Sequence, residues 1–450
     1  MVDAAWHEDL DGWLGPFLAR LKHAKRRRWA PVYLQGLLGP GDRKSLQPTA
    51  ARLGLGGHDQ LHHFITSAAW DDTPLRSLLV EKADALVGGP GAVLVIDDTA
   101  LPKQGTHSVG VARQYCGCLG KRANCQVLVS LTLARGEVPV PVGLRLFLPE
   151  AWAADGRRCA RAGVPDEHRR PAAKTDLALA EVDRVIAAGA RFGRVLADAG
   201  YGISAAFRKG LSERGLVWAV GIPKVQNVYS TAVTLSWPQA RTGRPRKHPL
   251  PSERPVSAEA MLTDVEWRHV AWRQGTKGPL VAEFAARRVR PAEGEQLRNG
   301  QHAPGDEVWL VGERRATGEH KYYLSNLPVG TPLEMLAATI KARWVCEQAH
   351  QQMKEELGLD HFEGRSWTGL HRHALMTMIA FAFLQHLRLP ERGKKRAPTR
   401  RAATTADLAR RSAQDPRTVP FRAHLLPTLR CSASREITAQ SAQVVLGSRP

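Results

Sequence analysis

Three apolar runs of strand length follow one another in the first half of the chain. AVLVI spans 92–96, CQVLVSLTLA spans 125–134, and VPVPVGLRLFLP spans 138–149. A Gly-rich loop separates the first two, and the turn RGE separates the second from the third. Successive short strands with connections of this kind pair as a meander. A polar, Arg-rich loop (DGRRCARAGVPDEHRRP) follows, and then the period changes. KTDLALAEVDRVIAAGA sets Leu177, Val182, Val185 and Ile186 on one side of a helix. RVLADAGYG is a fourth short strand, SAAFRKGLSERG a second helix, and LVWAVGIP a fifth strand. Strands joined through a helix run parallel. The chain is therefore constrained to a mixed sheet of three antiparallel strands followed by two parallel ones.

That order, β-β-β-α-β-α-β and then a late helix, is the sequential layout of an RNase H-like domain. The expected class is α/β, with a mixed five-stranded sheet and helices. Residues 89–222 hold the first part of this core and 333–389 its final helices. Between them, 223–332 is rich in Pro, Gly and Arg and carries the strand-like runs EWRHVAWRQ, LVAEFAARRV, DEVWLVGERR and KYYLSNLP. It reads as a β-rich insertion. Residues 1–88 look helical and basic, with HAKRRRW at 23–29. Within them SLQPTAARLG and GHDQLHHFITSAAW flank the turn LGLGG, a helix-turn-helix outline whose candidate groove-reading helix is His58 to Trp70. Two short helices about a glycine turn are common in helical domains, so this outline is weakly specific. Residues 390–450 open with PERGKKRAPTRRAATTADLARR and read as a basic, low-complexity tail, flexible unless bound to DNA.

Charge narrows the function classes. Against 43 Asp and Glu stand 64 Lys and Arg, a net charge of +21 and a pI near 10.2. A balance that basic calls for a polyanionic partner, nucleic acid first and an anionic membrane surface second. MVDAAWHEDLDGWLGPFLARL lacks the charged and apolar regions of a signal peptide. ALMTMIAFAFLQHL is too short for a comfortable membrane span. No membrane partner is expected, and the cytoplasm is the expected compartment. Six cysteines are too few for a disulfide scaffold. Cys116, Cys118 and Cys125 cluster, but no second Cys/His pair follows at zinc-finger spacing, which favours reduced structural thiols.

Asp97 ends the first apolar run with Asp98 beside it, Asp198 ends the fourth, and Glu347 lies in IKARWVCEQAHQQMKEELGLDHFEGRSW, 340–367. In the inferred topology the first and fourth strands are neighbours, so their ends converge with the late helix. On that helix Arg343, Glu347 and Lys354 share one face, away from a stripe of Ala342, Val345, Ala349, Met353 and Leu357. Carboxylates suit Mg²⁺. Asp97, Asp198 and Glu347 could hold two ions about 3.5–4 Å apart, one activating water or a 3′-hydroxyl and the other stabilising the leaving oxygen. Mn²⁺ is the natural substitute. Each acid also has a plainer reading. Asp97, Asp98 or Asp198 could be a turn or cap residue. Glu347 could simply pair with Arg343 in an exposed interaction of about 0.3–0.5 kcal/mol. Their joint occurrence at converging element ends carries the catalytic reading.

VIDDTALPKQGTHSVGVARQYCG, VLADAGYG and the late helix resemble the motifs of bacterial insertion-sequence transposases of the DDE type, within the RNase H-like superfamily that includes retroviral integrases. The resemblance runs from about Val93 to His373. A subgroup with a β-rich insertion carries Y-x2-R-x3-E-x6-K. Arg343, Glu347 and Lys354 match its last three positions, and Ile340 stands where Tyr would. The resemblance implies an enzyme that binds the terminal inverted repeats of its insertion sequence and cuts the ends with divalent metal. It would then join the 3′-hydroxyls to target DNA by transesterification, as a homodimer in the synapse and at the nucleoid. It makes the acids metal ligands and selects Asp97 through Asp-x-Thr, with Thr99 trailing and Asp98 the close alternative. Arg343 and Lys354 would contact phosphates beside the scissile bond. Lys103, Lys121, Arg122 and Lys224 are further phosphate-contact candidates. Arg244 and Arg246, in RTGRPRKHP, could lie in a minor groove or in a solvated basic loop. Trp218 and Trp344 could stack on a flipped base or fill the core. The rival readings are a domesticated, non-catalytic DNA-binding protein and another RNase H-like nuclease.

Overall fold

The structure is a computed structural model that describes residues 2–237, 248–275, 278–297 and 301–389. The tail expected at 390–450 lies outside the described residues.

The N-terminal residues form helices α1 (Val2–Ala19), α2 (Ala24–Leu38), α3 (Leu46–Arg52) and α4 (Thr73–Val87). The candidate groove-reading segment is not one regular helix. A single turn at Asp59–His62 passes into a π-turn at His63–Ser67. Phe64 and Trp70 stack at 5.4 Å, and the Trp70 indole donates to the Phe64 carbonyl at 3.0 Å. Burying both rings together with Leu61 and Ile65 turns half of this segment into the core.

The sheet begins with β1 (Gly89–Pro102), β2 (Ala112–Cys116), β3 (Lys121–Arg135) and β4 (Val138–Leu146). Helix α5 (Lys174–Ala187), β5 (Phe192–Ala197), α6 (Ala205–Glu213) and β6 (Trp218–Ile222) follow. β3 lies between β4 and β1, antiparallel to both, while β5 is parallel to both β1 and β6. The strand order 4-3-1-5-6 is the pairing that the element order predicts. Two details differ. β1 does not stop at the acids; it runs on to Pro102 because the long β3 supplies partners as far as Cys125. The Gly-rich loop contains β2, which forms a hairpin with the start of β3.

The segment expected as an insertion extends the same sheet. Strands β7 (Arg268–Gly275), β8 (Gly278–Gln296), β9 (Val308–Arg314) and β10 (His320–Ser325) are joined to the core by antiparallel pairing of β10 with β6. Among the described residues the sheet has 13 strands and is mostly antiparallel. The chain then forms α7 (Leu333–Lys341), α8 (Trp344–Glu355) and α9 (Trp367–Arg388). The late helix read from the sequence is thus interrupted at Ala342 and Arg343. The buried residues of α8 are Val345, Cys346, Ala349, His350 and Met353.

β1 alternates between two cores, as a strand buried on both faces must. Leu94 and Ile96 pack with the N-terminal helices and α9. Val93 and Val95 pack with α7 and the start of α8. Helix α9 is buried all round from Gly369 to Gln385, which requires neighbours on every side. Several of its polar residues are partnered: Tyr33 Oη lies 2.8 Å from His373 Nδ1, and Arg372 donates to the carbonyls of Ala68 and Trp70 at 2.7 and 2.5 Å. No helix among the described residues is long and apolar enough to cross a membrane.

Glu356, at the end of α8, is pushed up to about 7 by burial and then by Glu355, with Lys44 opposing. A raised carboxyl contributes stability that is fully present below its ordinary value of 4.5 and is lost as pH rises through about 7. Glu356→Gln should therefore raise the melting temperature at pH 8 and leave it nearly unchanged at pH 5, as checked by thermal melts across that range.

Candidate active site

The period of β1 separates its two acids. Asp97 continues the Val93/Val95 face and meets α8, while Asp98 turns to the opposite side. The Asp97 side chain is 9% exposed as a residue, and its Oδ2 accepts from Arg343 Nη1 at 2.5 Å and Cys346 Sγ at 3.2 Å. Its Oδ1 accepts from the Asp98 amide at 2.8 Å. Burial pushes the Asp97 carboxyl up, against the pull of Arg343. Asp98 is held differently: Lys174 Nζ lies 2.5 Å from one oxygen, and Tyr201 Oη donates to the other at 2.6 Å.

Asp198 follows the last residue of β5 and caps the next turn, accepting from the Tyr201 amide at 3.3 Å. Burial and then the Asp97 charge push its carboxyl up, with Arg343 opposing. Glu347, on the exposed side of α8, pairs with Arg343. The β5 pairing reaches β1 only as far as Ile96, so the acids stand where the parallel strands part. The Arg343 guanidinium thus bridges Asp97 and Glu347 and acts electrostatically on Asp198. Beneath them, His350 is held down at about 3 by burial and then by Lys354; it is neutral at physiological pH.

The donor set here is all carboxylate, the chemistry a hard divalent cation requires. Asp97 is buried and Asp198 half-buried, the two are close enough to repel each other, and Arg343 is the cation that offsets them. With the guanidinium in that position, no group of three acidic, histidine or cysteine side chains among the described residues is arranged to hold one ion.

The other sequence candidates are dispersed. Lys354 is half-buried on α8. Lys103 is half-buried and donates to the carbonyls of Asp360 and Phe362 at 3.2 and 2.7 Å. Lys121 and Arg122 are exposed on the β2–β3 hairpin, Arg122 donating to the Arg113 carbonyl at 3.3 Å. Lys224 pairs with Glu259 at 3.4 Å. Arg244 and Arg246 lie outside the described residues. Trp218 is buried in β6, its indole donating to Ser212 Oγ at 2.9 Å. The half-buried Trp344 carries the Arg273 guanidinium 4.2 Å from its ring centroid. Ile340 is a buried residue of α7 in the Val93/Val95 core. Cys116 and Cys118 are free thiols with sulfurs 3.3 Å apart. Sequence reasoning missed Lys174, Tyr201 and Cys346. Tyr201 had a signal, since it stands three residues after Asp198 at the spacing of a capped turn. Lys174 and Cys346 had none, because only the folded sheet brings them to Asp98 and Asp97.

Residues 16–279, more than half of the 450-residue chain, match the family described as DDE superfamily endonuclease. The chain belongs to that superfamily. DDE endonucleases generally use divalent metal ions. The matched segment contains Asp97, Asp98 and Asp198 and stops before Glu347. The chain is also 32% identical over 188 residues to a protein of Microchaete diplosiphon described as a probable transposase for insertion sequence element IS701. That match covers 42% of this chain and 46% of the relative, so the chain spans about half the length of the curated relative it matches. A cryo-EM structure of the piggyBac transposase synaptic complex with hairpin DNA is similar with a TM-score of 0.41 and 12% identity, over 90% of this chain and 76% of that one.

Arg343→Gln tests the bridging role. Without divalent metal the variant should lose about 1–3 kcal/mol, less than a fully buried pair would, because Glu347 is exposed. Added Mg²⁺ should raise its melting temperature more than it raises that of the wild type. Calorimetry with and without chelator checks both.

Proposed function

We propose that this DDE-superfamily chain is a cut-and-paste DNA transposase with an RNase H-like core. It binds the terminal inverted repeats of its insertion sequence, cleaves the ends and joins the 3′-hydroxyls to target DNA. The observation that carries this reading is the Arg343 guanidinium bridging Asp97 from β1 and Glu347 from α8, with Asp198 after β5 near enough to feel the Asp97 and Arg343 charges. The strand order 4-3-1-5-6 with flanking helices supports the RNase H-like core, and the likeness to a probable insertion-sequence transposase supports the substrate class.

Asp97, Asp198 and Glu347 would hold the metal, two Mg²⁺ ions by the family's chemistry. Bound there, they supply an activated water or 3′-hydroxyl and stabilise the leaving oxygen. This chain's residues provide the rest. Cys346 and the Asp98 amide hold Asp97 in place. Lys174 and Tyr201 engage both oxygens of Asp98 on the far face of β1, while Asp97 faces α8 and Glu347, which makes Asp97 the better-placed ligand of the two. Arg343, once released from the carboxylates, faces the phosphate being cut, and Lys354 lies on the same helix. The R-x3-E-x6-K spacing and the β-rich extension support the Y-R-E-K subgroup. Ile340 departs from it, and as a core residue it offers the cut strand no hydroxyl. Cutting two ends calls for two active sites, hence a homodimeric synapse, working in the bacterial cytoplasm at the nucleoid. The N-terminal helices are the natural duplex-binding region.

The rival reading is a non-catalytic DNA-binding protein, in which Arg343 neutralises the acids permanently. Glu347→Gln separates the two. It should reduce Mg²⁺-dependent cleavage of terminal-repeat DNA by at least about a hundredfold, the cost that even an outer-sphere change can reach, while duplex binding persists. Cleavage that survives the change overturns the metal assignment. Strand transfer of a 3′-hydroxyl, followed on a labelled target, separates a transposase from a simple nuclease.

A further inference from the structure

A cavity of about 330 Å³ opens where three separate segments meet. One segment follows α2 and brings Arg43. A second follows β1 and brings Lys103 and His107. The third follows α8 and brings Asp360, Glu363 and Arg365. The junction is built: the Val109 amide donates to the Arg365 carbonyl at 3.1 Å, and Lys103 donates to two carbonyls of the third segment. Three cations, Arg43, Lys103 and Arg365, face two acids. Glu363 pairs with Arg43, and the Asp360 carboxylate offsets the Lys103 charge without a hydrogen bond to it. Arg365 is left as the surplus cation, and His107 is an exposed donor beside it. A cavity of this size, polar and with a cationic surplus, suits one nucleotide of a polyanion.

Its place relative to the acids is also determined. β1 runs as an extended strand from Asp97 to Pro102, with Lys103 next, so at about 3.3 Å per residue the cavity lies about 20 Å from the acids. For a duplex whose axis runs along β1, a rise of about 3.4 Å per nucleotide makes that distance about six steps. We propose that this cavity seats one nucleotide of the bound DNA strand about six steps from the cut bond, with its phosphate on Arg365 and Lys103 and His107 donating to it. The inference rests on the transposase reading and adds to it a second anchoring point at which the N-terminal helices and the catalytic core grip the same strand.

The test uses the full chain, without divalent metal, and a labelled duplex carrying the DNA that flanks this coding region. A single neutral methylphosphonate linkage is moved along the strand, with positions counted from the bond cut in a parallel Mg²⁺ reaction. The wild type should lose several-fold in affinity when the neutral linkage stands about six steps from that bond. Arg365→Gln with His107→Gln, both at exposed positions, should abolish that position-specific loss. The double variant should also lower the slope of log affinity against log salt by about 0.9 for each lost phosphate contact. A wild-type scan with no sensitive position near six steps overturns the inference, and this outcome does not depend on the variants folding. So does a loss that persists undiminished in the double variant at matched melting temperature. Saturable binding of a free deoxynucleoside monophosphate, abolished in the variant and without any positional effect in DNA, overturns it in favour of a small-ligand pocket. If the wild type binds no duplex, the transposase reading fails, and this one fails with it.

Discussion

The guanidinium of Arg343 joins the two halves of the site. One nitrogen reaches Asp97 on the central strand and another reaches Glu347 on the late helix. Without an intervening cation, the carboxylates that the fold brings together would repel in a partly dehydrated space, where charge is expensive to hold. β1 and α8 are separated by about half the chain, and no backbone hydrogen bond ties one to the other. The ion pair, the Cys346 thiol and the apolar packing of Val345 and Cys346 hold the helix against the strand. A positively charged side chain therefore offsets the carboxylates that the fold brings together.

Much of this was legible in the chain. The five core strands and their pairing follow from runs of apolar residues and from the helices between them, because alternation and connection length constrain a sheet strongly. The same grounds lead to the expectation that Asp97 or Asp98, Asp198 and Glu347 stand at converging element ends. What was not legible lies in contacts between distant segments. Nothing in KTDLALAEVD marks Lys174 as the partner of Asp98, since its pairing depends on where α5 starts relative to β1. Asp97 also reads as a strand terminator, because an acid after five apolar residues resembles an end. The long partner β3 overrides that local signal and carries the strand onward to Pro102.

The segment between the fifth strand and the late helices gives a second example. Its Pro, Gly and Arg content and strand-like runs read as a β-rich insertion, and β10 pairs with β6 so that these strands continue the core sheet. Composition describes how a segment tolerates solvent and turns; it does not say which free strand edge the segment will cover. An exposed edge at β6 would invite pairing with other chains, and β10 closes it.

Helix α9 has a consequence for when the molecule comes into being. It is buried on every side and supplies the surface on which the N-terminal helices pack; Tyr33 and His373, in contact, are 340 positions apart in the chain. Contacts of that span form only after the intervening length exists. On the ribosome, α1, α2 and α4 emerge early without the partner that completes their core. The core of these helices can therefore mature only after Glu347 has been made, which couples the packing of the earliest part of the chain to completion of the candidate site.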